Sequence, residues 1–263
     1  MDDNYQTYLN RVARMTLPEV YISQVQNIQQ SPKYQPSPSG RRQAAPFPGY
    51  TIITLPREND SENSTFYTQI ENFQQELMEL SFGDNFIILV PKSSFHLTLA
   101  NLIWDNAYAD ACEKHPDFHV ELKSCFADIF AQYENSKTIN NSPIYWQMLG
   151  LTITPRALRI CLIPKDKESY EQIINLRRII YQNSKLMKLG IEQQYDFTAH
   201  VTLGYFGEIP KDLDKELLST KLTQLNHQWT AIAPELLVHS AELRKFDDMT
   251  RYYRESDFPR LDF

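Results

Sequence analysis

One arrangement of residues occurs twice in this chain of 263 residues and limits the fold more than any other feature. A short aliphatic stretch is stopped by proline, a charged turn leads into a segment of helical spacing, and a strand reading His, aliphatic, Thr, Leu closes the unit. In the first copy residues 50–55 end at Pro56, and Tyr67, Ile70, Phe73, Leu77 and Leu80 recur on one helical face. His96, Leu97, Thr98 and Leu99 then close it. In the second copy residues 158–163 end at Pro164, Ile173, Leu176 and Ile180 share a face, and His200, Val201, Thr202 and Leu203 follow. The separation from proline to histidine is 40 residues in one copy (56 to 96) and 36 in the other (164 to 200). Strands alternating with helices in two similar halves predict an α+β or α/β architecture with helices outside the sheets.

Further elements fill the frame. Residues 86–90 form an apolar run stopped by Pro91. The stretch 108–133 is helical with a break at Pro116, and 145–154 reads as a strand. A helix carrying Leu213, Leu217 and Leu225 precedes strands at 235–243. The tail holds Arg251, Tyr252, Tyr253 and Arg254, which read either as an edge strand or as a basic aromatic patch. Residues 4–30 predict two short helices broken near Pro18, which can occupy the first turn of the second. Five prolines between 31 and 48 mark an extended linker or surface arm. Residues 1–45 are therefore expected to form an N-terminal extension, and residues 46–263 the catalytic domain.

The balance of charge narrows the partners. A net charge of −7 argues against a broad basic surface and so against extended duplex nucleic acid, while leaving room for a small anion held locally. The three cysteines, Cys112, Cys125 and Cys161, are scattered with no C-x-x-C pair, which excludes a disulfide framework or zinc knuckle from the expectation. No apolar run is long enough to span a membrane. A cytoplasmic monomer is the resulting expectation.

Alternation along a strand places His96 and Thr98 on one face, and His200 with Thr202 likewise. Side by side, such strands surround one pocket with two imidazoles and two hydroxyls, a set suited to a phosphodiester. Histidine exchanges protons near neutral pH, so one ring can accept a proton from water while the other donates to a leaving oxygen. The hydroxyls can donate to the non-bridging oxygens. If the pleat continues, Trp104 shares a face with His96 and Phe206 with His200, where each either stacks on a base or caps the core. Arg159 either contacts phosphate or lies at an exposed edge. His115 and His119 have helical spacing, but Pro116 interrupts them and no H-E-x-x-H order is present, so no metal is expected.

These two tetrapeptides resemble the paired signatures of the 2H phosphoesterase superfamily, and the resemblance extends over about residues 46–263. It implies a bilobal α+β fold in which two pseudo-symmetric antiparallel sheets, with helices outside, flank a central cleft. It also implies metal-independent and cofactor-free hydrolysis of a cyclic phosphate on a small nucleotide or RNA terminus. His200 would be the base, His96 the acid, and a 2′-phosphate the product. RNA 3′-end trimming, degradation of a cyclic nucleotide signal, and a nucleotide-binding module without turnover remain alternatives.

Overall fold

The structure, a computed structural model, describes residues 2–80, 82–83, 85–136 and 142–263. It begins with helices α1 (Tyr5–Met15) and α2 (Pro18–Gln26) and a small hairpin of β1 (Tyr34–Pro36) and β2 (Arg42–Ala44). The first repeat unit supplies β3 (Gly49–Ile53), α3 (Ser64–Met78), β4 (Ile87–Leu89) and β5 (Thr98–Trp104). Helices α4 (Asp105–Lys114) and α5 (Phe118–Ser136) lead to β6 (Ile144–Thr154). The second unit is β7 (Ala157–Pro164), α6 (Lys167–Tyr181), α7 (Ser184–Lys188) and β8 (His200–Phe206). Helix α8 (Lys215–Thr230) and strands β9 (Glu235–Val238), β10 (Ser240–Phe246) and β11 (Arg260–Asp262) follow.

The larger sheets run β11-β10-β3-β5 and β4-β8-β7-β6-β9, with antiparallel pairing throughout. Three strands of each correspond: β10-β3-β5 in one lobe and β6-β7-β8 in the other. The sequence duplication is therefore a spatial one, and the α+β bilobal expectation is met.

The two units are not self-contained. Strand β4 leaves its own lobe and pairs with β8, setting Leu89 opposite Gly204. Helix α3 also lies against β8, and its buried Gln74 donates from Nε2 to the carbonyls of Val90 (2.8 Å) and Leu203 (2.9 Å). A buried amide satisfied by the carbonyl just past β4 and one within β8 fixes the helix in register and ties the lobes together.

The N-terminal extension packs against the second lobe. Tyr8, Val12, Tyr21 and Val25 are fully buried, because their helices cover the second sheet at β6 and β7. The Tyr8 hydroxyl donates to the Leu162 carbonyl at 2.8 Å and accepts from the Ala199 N–H at 3.2 Å. Burying a large apolar side chain contributes about 1.5–3 kcal/mol, so four such residues cannot belong to a loosely attached appendage. The proline-rich stretch turns back at Gly40, whose φ of +77° suits a residue without a Cβ, and closes the β1–β2 hairpin.

Two smaller expectations shift. The buried face of α8 is Leu218, Leu222 and Trp229, while Leu217 is exposed, so the helix is rotated from the predicted Leu213–Leu217–Leu225 stripe. In the tail, Tyr253 bridges Lys245 and β11 pairs with β10, which is the edge-strand arrangement. Among the described residues no helix is long and apolar enough to cross a membrane.

Candidate active site

A cleft of about 1000 Å³ is lined by residues from both lobes, and His96, Thr98, His200 and Thr202 all face it. Each histidine is held by the same local device. The Nδ1 of His96 lies 2.6 Å from the carbonyl oxygen of Ser94, and the Nδ1 of His200 lies 2.7 Å from that of Thr198. A carbonyl can only accept, so Nδ1 carries the proton in both rings, leaving Nε2 as the atom available for chemistry. The carbonyl stands two residues upstream in each case. Both histidines thus present the same nitrogen from equivalent places in the repeat.

Both rings favour the neutral form. Burial lowers the His96 pKa to about 4, with the Arg244 guanidinium adding to the shift against the opposing Ser94 hydrogen bond. Burial lowers that of His200 to about 3, assisted by the positive charges of Arg159 and Lys33 and by His96 itself, against the Thr198 hydrogen bond. The more strongly depressed histidine is the one facing the cations.

The order of side chains along the cleft wall departs from simple alternation, and two bulges explain why. On β8, Thr202 pairs with Arg159 and Gly204 with Leu158, so Leu203 is the extra residue. Parity reverses beyond it. Tyr205 consequently lines the cleft, whereas Phe206 is fully buried against Phe86 with ring centroids 5.6 Å apart. The face shared with His200 that simple alternation predicts for Phe206 is thus corrected: Phe206 caps the core, the other of its two expected roles, and Tyr205 lies on the cleft face. On β5, Leu99 is the extra residue between pairs Thr98–Ile53 and Ala100–Ile52, and Leu102 is a second between Asn101–Thr51 and Ile103–Tyr50. Two reversals cancel, so Trp104 returns to the cleft face. There it stacks on Tyr195, at 6.5 Å between centroids and 18° between planes.

Arg159 also lines the cleft, opposite Thr202 on the neighbouring strand. Its Nε is buried and has no hydrogen-bond partner among the described residues. An unpaired buried guanidinium nitrogen costs stability unless an anion occupies the space beside it.

Several cleft residues escape sequence reasoning. The Tyr252 ring packs edge-on against His96, with centroids 4.2 Å apart, from a tail whose only sequence signal was aromatic and basic content. Lys33 and Tyr195 arrive from an arm and a loop that carry no periodic pattern. His119, considered above as half of a ligand pair, accepts or donates at Nδ1 with the Tyr50 hydroxyl at 3.0 Å.

Comparison with known proteins bears on the fold and on the first repeat. Residues 39–134 match a family model described as 2H-phosphodiest, a domain of unknown function (DUF1868). A conserved protein of unknown function from Agrobacterium tumefaciens has a similar fold (TM-score 0.59, 15% identity, 89% of this chain and 96% of that one). Weaker likenesses include E. coli LigT complexed with 3′-AMP (TM-score 0.44, 14% identity, 82% and 98%) and its apo form (0.45, 15%, 83% and 98%). No curated protein sequence matches the chain significantly. The family model takes in residues 39–134, which include the first histidine motif, and the second motif faces the same cleft from the equivalent strand, so the first repeat is similar to the 2H-phosphodiesterase family and the second repeats its motif.

Proposed function

We propose that the cleft hydrolyses a 2′,3′-cyclic phosphate on a small nucleotide or RNA end, all of its groups coming from one chain. The observation that carries this reading is the duplicated device, two histidines lining one cleft, each with Nδ1 tied to the backbone carbonyl two residues upstream so that Nε2 is left for chemistry. His200, kept neutral by burial with the Arg159 charge adding to it, takes a proton from water as the water oxygen bonds to phosphorus. The P–O3′ bond breaks, and His96 in its protonated form gives a proton to the departing O3′, leaving a 2′-phosphate. Thr98 and Thr202 donate to the non-bridging oxygens, and Arg159 offsets their charge. Trp104 and Tyr195 supply stacking surface for a base.

The test is hydrolysis of the four nucleoside 2′,3′-cyclic phosphates and of a short RNA ending in a cyclic phosphate, in the presence of EDTA. Turnover to 2′-phosphates, undiminished by EDTA, is the expected result. Shortened oligonucleotides with untouched cyclic ends would instead favour 3′-end trimming, and a folded protein inert on all of them would refute the reading.

The depressed histidines give the pH profile a direction. The profile of kcat/KM follows the free protein, where both rings titrate well below 6.5 and the required imidazolium is scarce at pH 7. Thus kcat/KM rises as pH is lowered from 8 toward 5. A bound phosphodiester anion favours imidazolium, so the optimum of kcat lies at higher pH than that of kcat/KM. Coincident profiles, or a kcat/KM that climbs above pH 7, would contradict the assigned charge states.

A further inference from the structure

We propose that Lys33 determines specificity by binding a second phosphate group on the nucleotide, distinct from the one that reacts. The proposal rests on the nucleotide reading above and extends it to a residue outside the repeated units. Lys33 is fixed in place by the arm that carries it. The Gln29 N–H donates to the Pro155 carbonyl at 2.6 Å, and the Ser31 N–H donates to the Phe206 carbonyl at 2.8 Å. The arm therefore continues the hydrogen bonding of β8 and delivers Lys33 to the cleft wall.

There the ammonium lies 4.6 Å from the ring centre of Phe47 and 5.1 Å from that of Tyr205, and its Nζ is 3.5 Å from the Tyr205 hydroxyl oxygen. Among the described residues no carboxylate is within ion-pair distance of it. Asp248 acts on the nearby Tyr34 and Tyr252, but its Oδ1 accepts from the Thr250 N–H at 2.7 Å and from the Thr250 hydroxyl. Arg156 adds a second cation on the same wall, placed by its carbonyl accepting from the Phe206 N–H at 3.0 Å. Two aromatic faces hold the Lys33 charge without neutralising it, which leaves its N–H groups for an anion.

That anion is not the reacting phosphate. The reacting group lies between the histidines and threonines, with Arg159 directly across from Thr202. Tyr205 is three residues farther along a strand that advances about 3.3 Å per residue, one of them bulged, so the backbone position at which Lys33 meets the strand lies on the order of 7–10 Å from that of Thr202. One phosphate cannot span that distance, whereas two phosphates of one nucleotide can. An ammonium is a point-charge phosphate ligand and needs no planar partner, so it suits a terminal phosphate that approaches at variable angle. The favoured substrate class is accordingly a cyclic-phosphate nucleotide or RNA end that bears a further phosphate.

The experiment is calorimetric binding of adenosine 2′,5′-bisphosphate and adenosine 2′-monophosphate to the full chain, its Lys33→Met variant and its Lys33→Arg variant. Methionine keeps the apolar stem against Phe47 and Tyr205 and removes only the charge. The wild type is expected to bind the bisphosphate about tenfold more tightly than the monophosphate. Lys33→Met erases that preference, and Lys33→Arg retains part of it. Equal affinity of the wild type for both ligands, no binding of either at millimolar concentration, or an equal weakening of both in Lys33→Met would overturn the proposal. Binding requires no turnover, so the two readings fail separately. A Lys33-dependent preference with inert cyclic esters removes the hydrolytic reading alone, whereas turnover with no Lys33-dependent preference removes this one alone.

Discussion

Replacing His200 with alanine is expected to lower kcat on a 2′,3′-cyclic nucleotide by about 10²–10⁴-fold, and replacing His96 by a similar factor, the range for loss of a positioned general acid or base. The two losses should not multiply in the double variant, because both rings act on one phosphorus in one step. The roles are separable by leaving group. With a phosphodiester of p-nitrophenol, whose departing oxygen needs no proton, His96→Ala recovers most of its deficit and His200→Ala does not. Equal recovery in both variants, or activity within a few-fold of wild type in either, would remove the assignment.

A stability measurement on an isosteric variant, His200→Gln, separates loss of the group from misfolding. The native protein holds both imidazoles neutral, while the unfolded chain protonates them near 6.5. The unfolded state therefore binds more protons between pH 6.5 and 4, and wild-type stability falls as pH falls through that window. A His200→Gln variant lacks one of these groups, so its loss over the window is smaller by roughly 1–3 kcal/mol. At pH 7, where the ring is neutral in both states, its unfolding midpoint should lie close to that of wild type.

The histidines and threonines were legible because their information is local. Alternation over three residues, with aliphatic neighbours that are all buried, requires no knowledge of the partner strand. Tyr205 and Phe206 were not legible for the opposite reason. Which of them faces the cleft depends on Leu203 being bulged, and that bulge is a property of the β7–β8 register. The same reasoning covers Trp104, where simple alternation reached the right residue only because the bulges at Leu99 and Leu102 cancel. Strand β4 posed a topological version of the problem. Its apolar run ending at Pro91 identifies a strand, yet nothing in 86–90 says that its partner is β8 rather than the β5 strand that follows it. The spacing of the N-terminal helices marks an apolar face at Tyr8, Val12 and Val25 but does not say which sheet that face covers, and Tyr8 and Tyr21 carry hydroxyls into the interior with it. Those hydroxyls find the buried carbonyls of Leu162 and Leu151.

Replacing Asp2 with alanine is expected to destabilise the protein by about 3–5 kcal/mol, the cost of leaving a buried charge without its partner. Asp2 and Arg177 have side chains only 5% and 3% exposed, joined by contacts of 2.7 Å at Nε and 3.0 Å at Nη2. Arg177 has no solvated alternative, because its Nη1 donates at 2.6 Å to the Leu99 carbonyl of β5 while the guanidinium packs over Phe197 and Tyr181. At this chain length the loss corresponds to a fall in Tm of roughly 6–15 °C. Replacing both partners, Asp2→Ala with Arg177→Met, should be less destabilising than Asp2→Ala alone, since the stranded cation is gone. A Tm for Asp2→Ala within about 2 °C of wild type would show the pair to be dispensable. The consequence reaches the chemistry through one loop. Asp2 Oδ1 also accepts from the Phe197 N–H at 2.8 Å, and Arg11 donates to the Phe197 carbonyl at 2.6 Å and to the Thr198 hydroxyl at 2.7 Å. Thr198 supplies the carbonyl that orients His200. The N-terminal segment therefore sets the tautomer and direction of the proposed base from outside the repeated units. Below its unfolding transition, Asp2→Ala should lower kcat by a factor of several while leaving KM nearly unchanged, because the loss lies in the aim of His200 and not in the phosphate contacts.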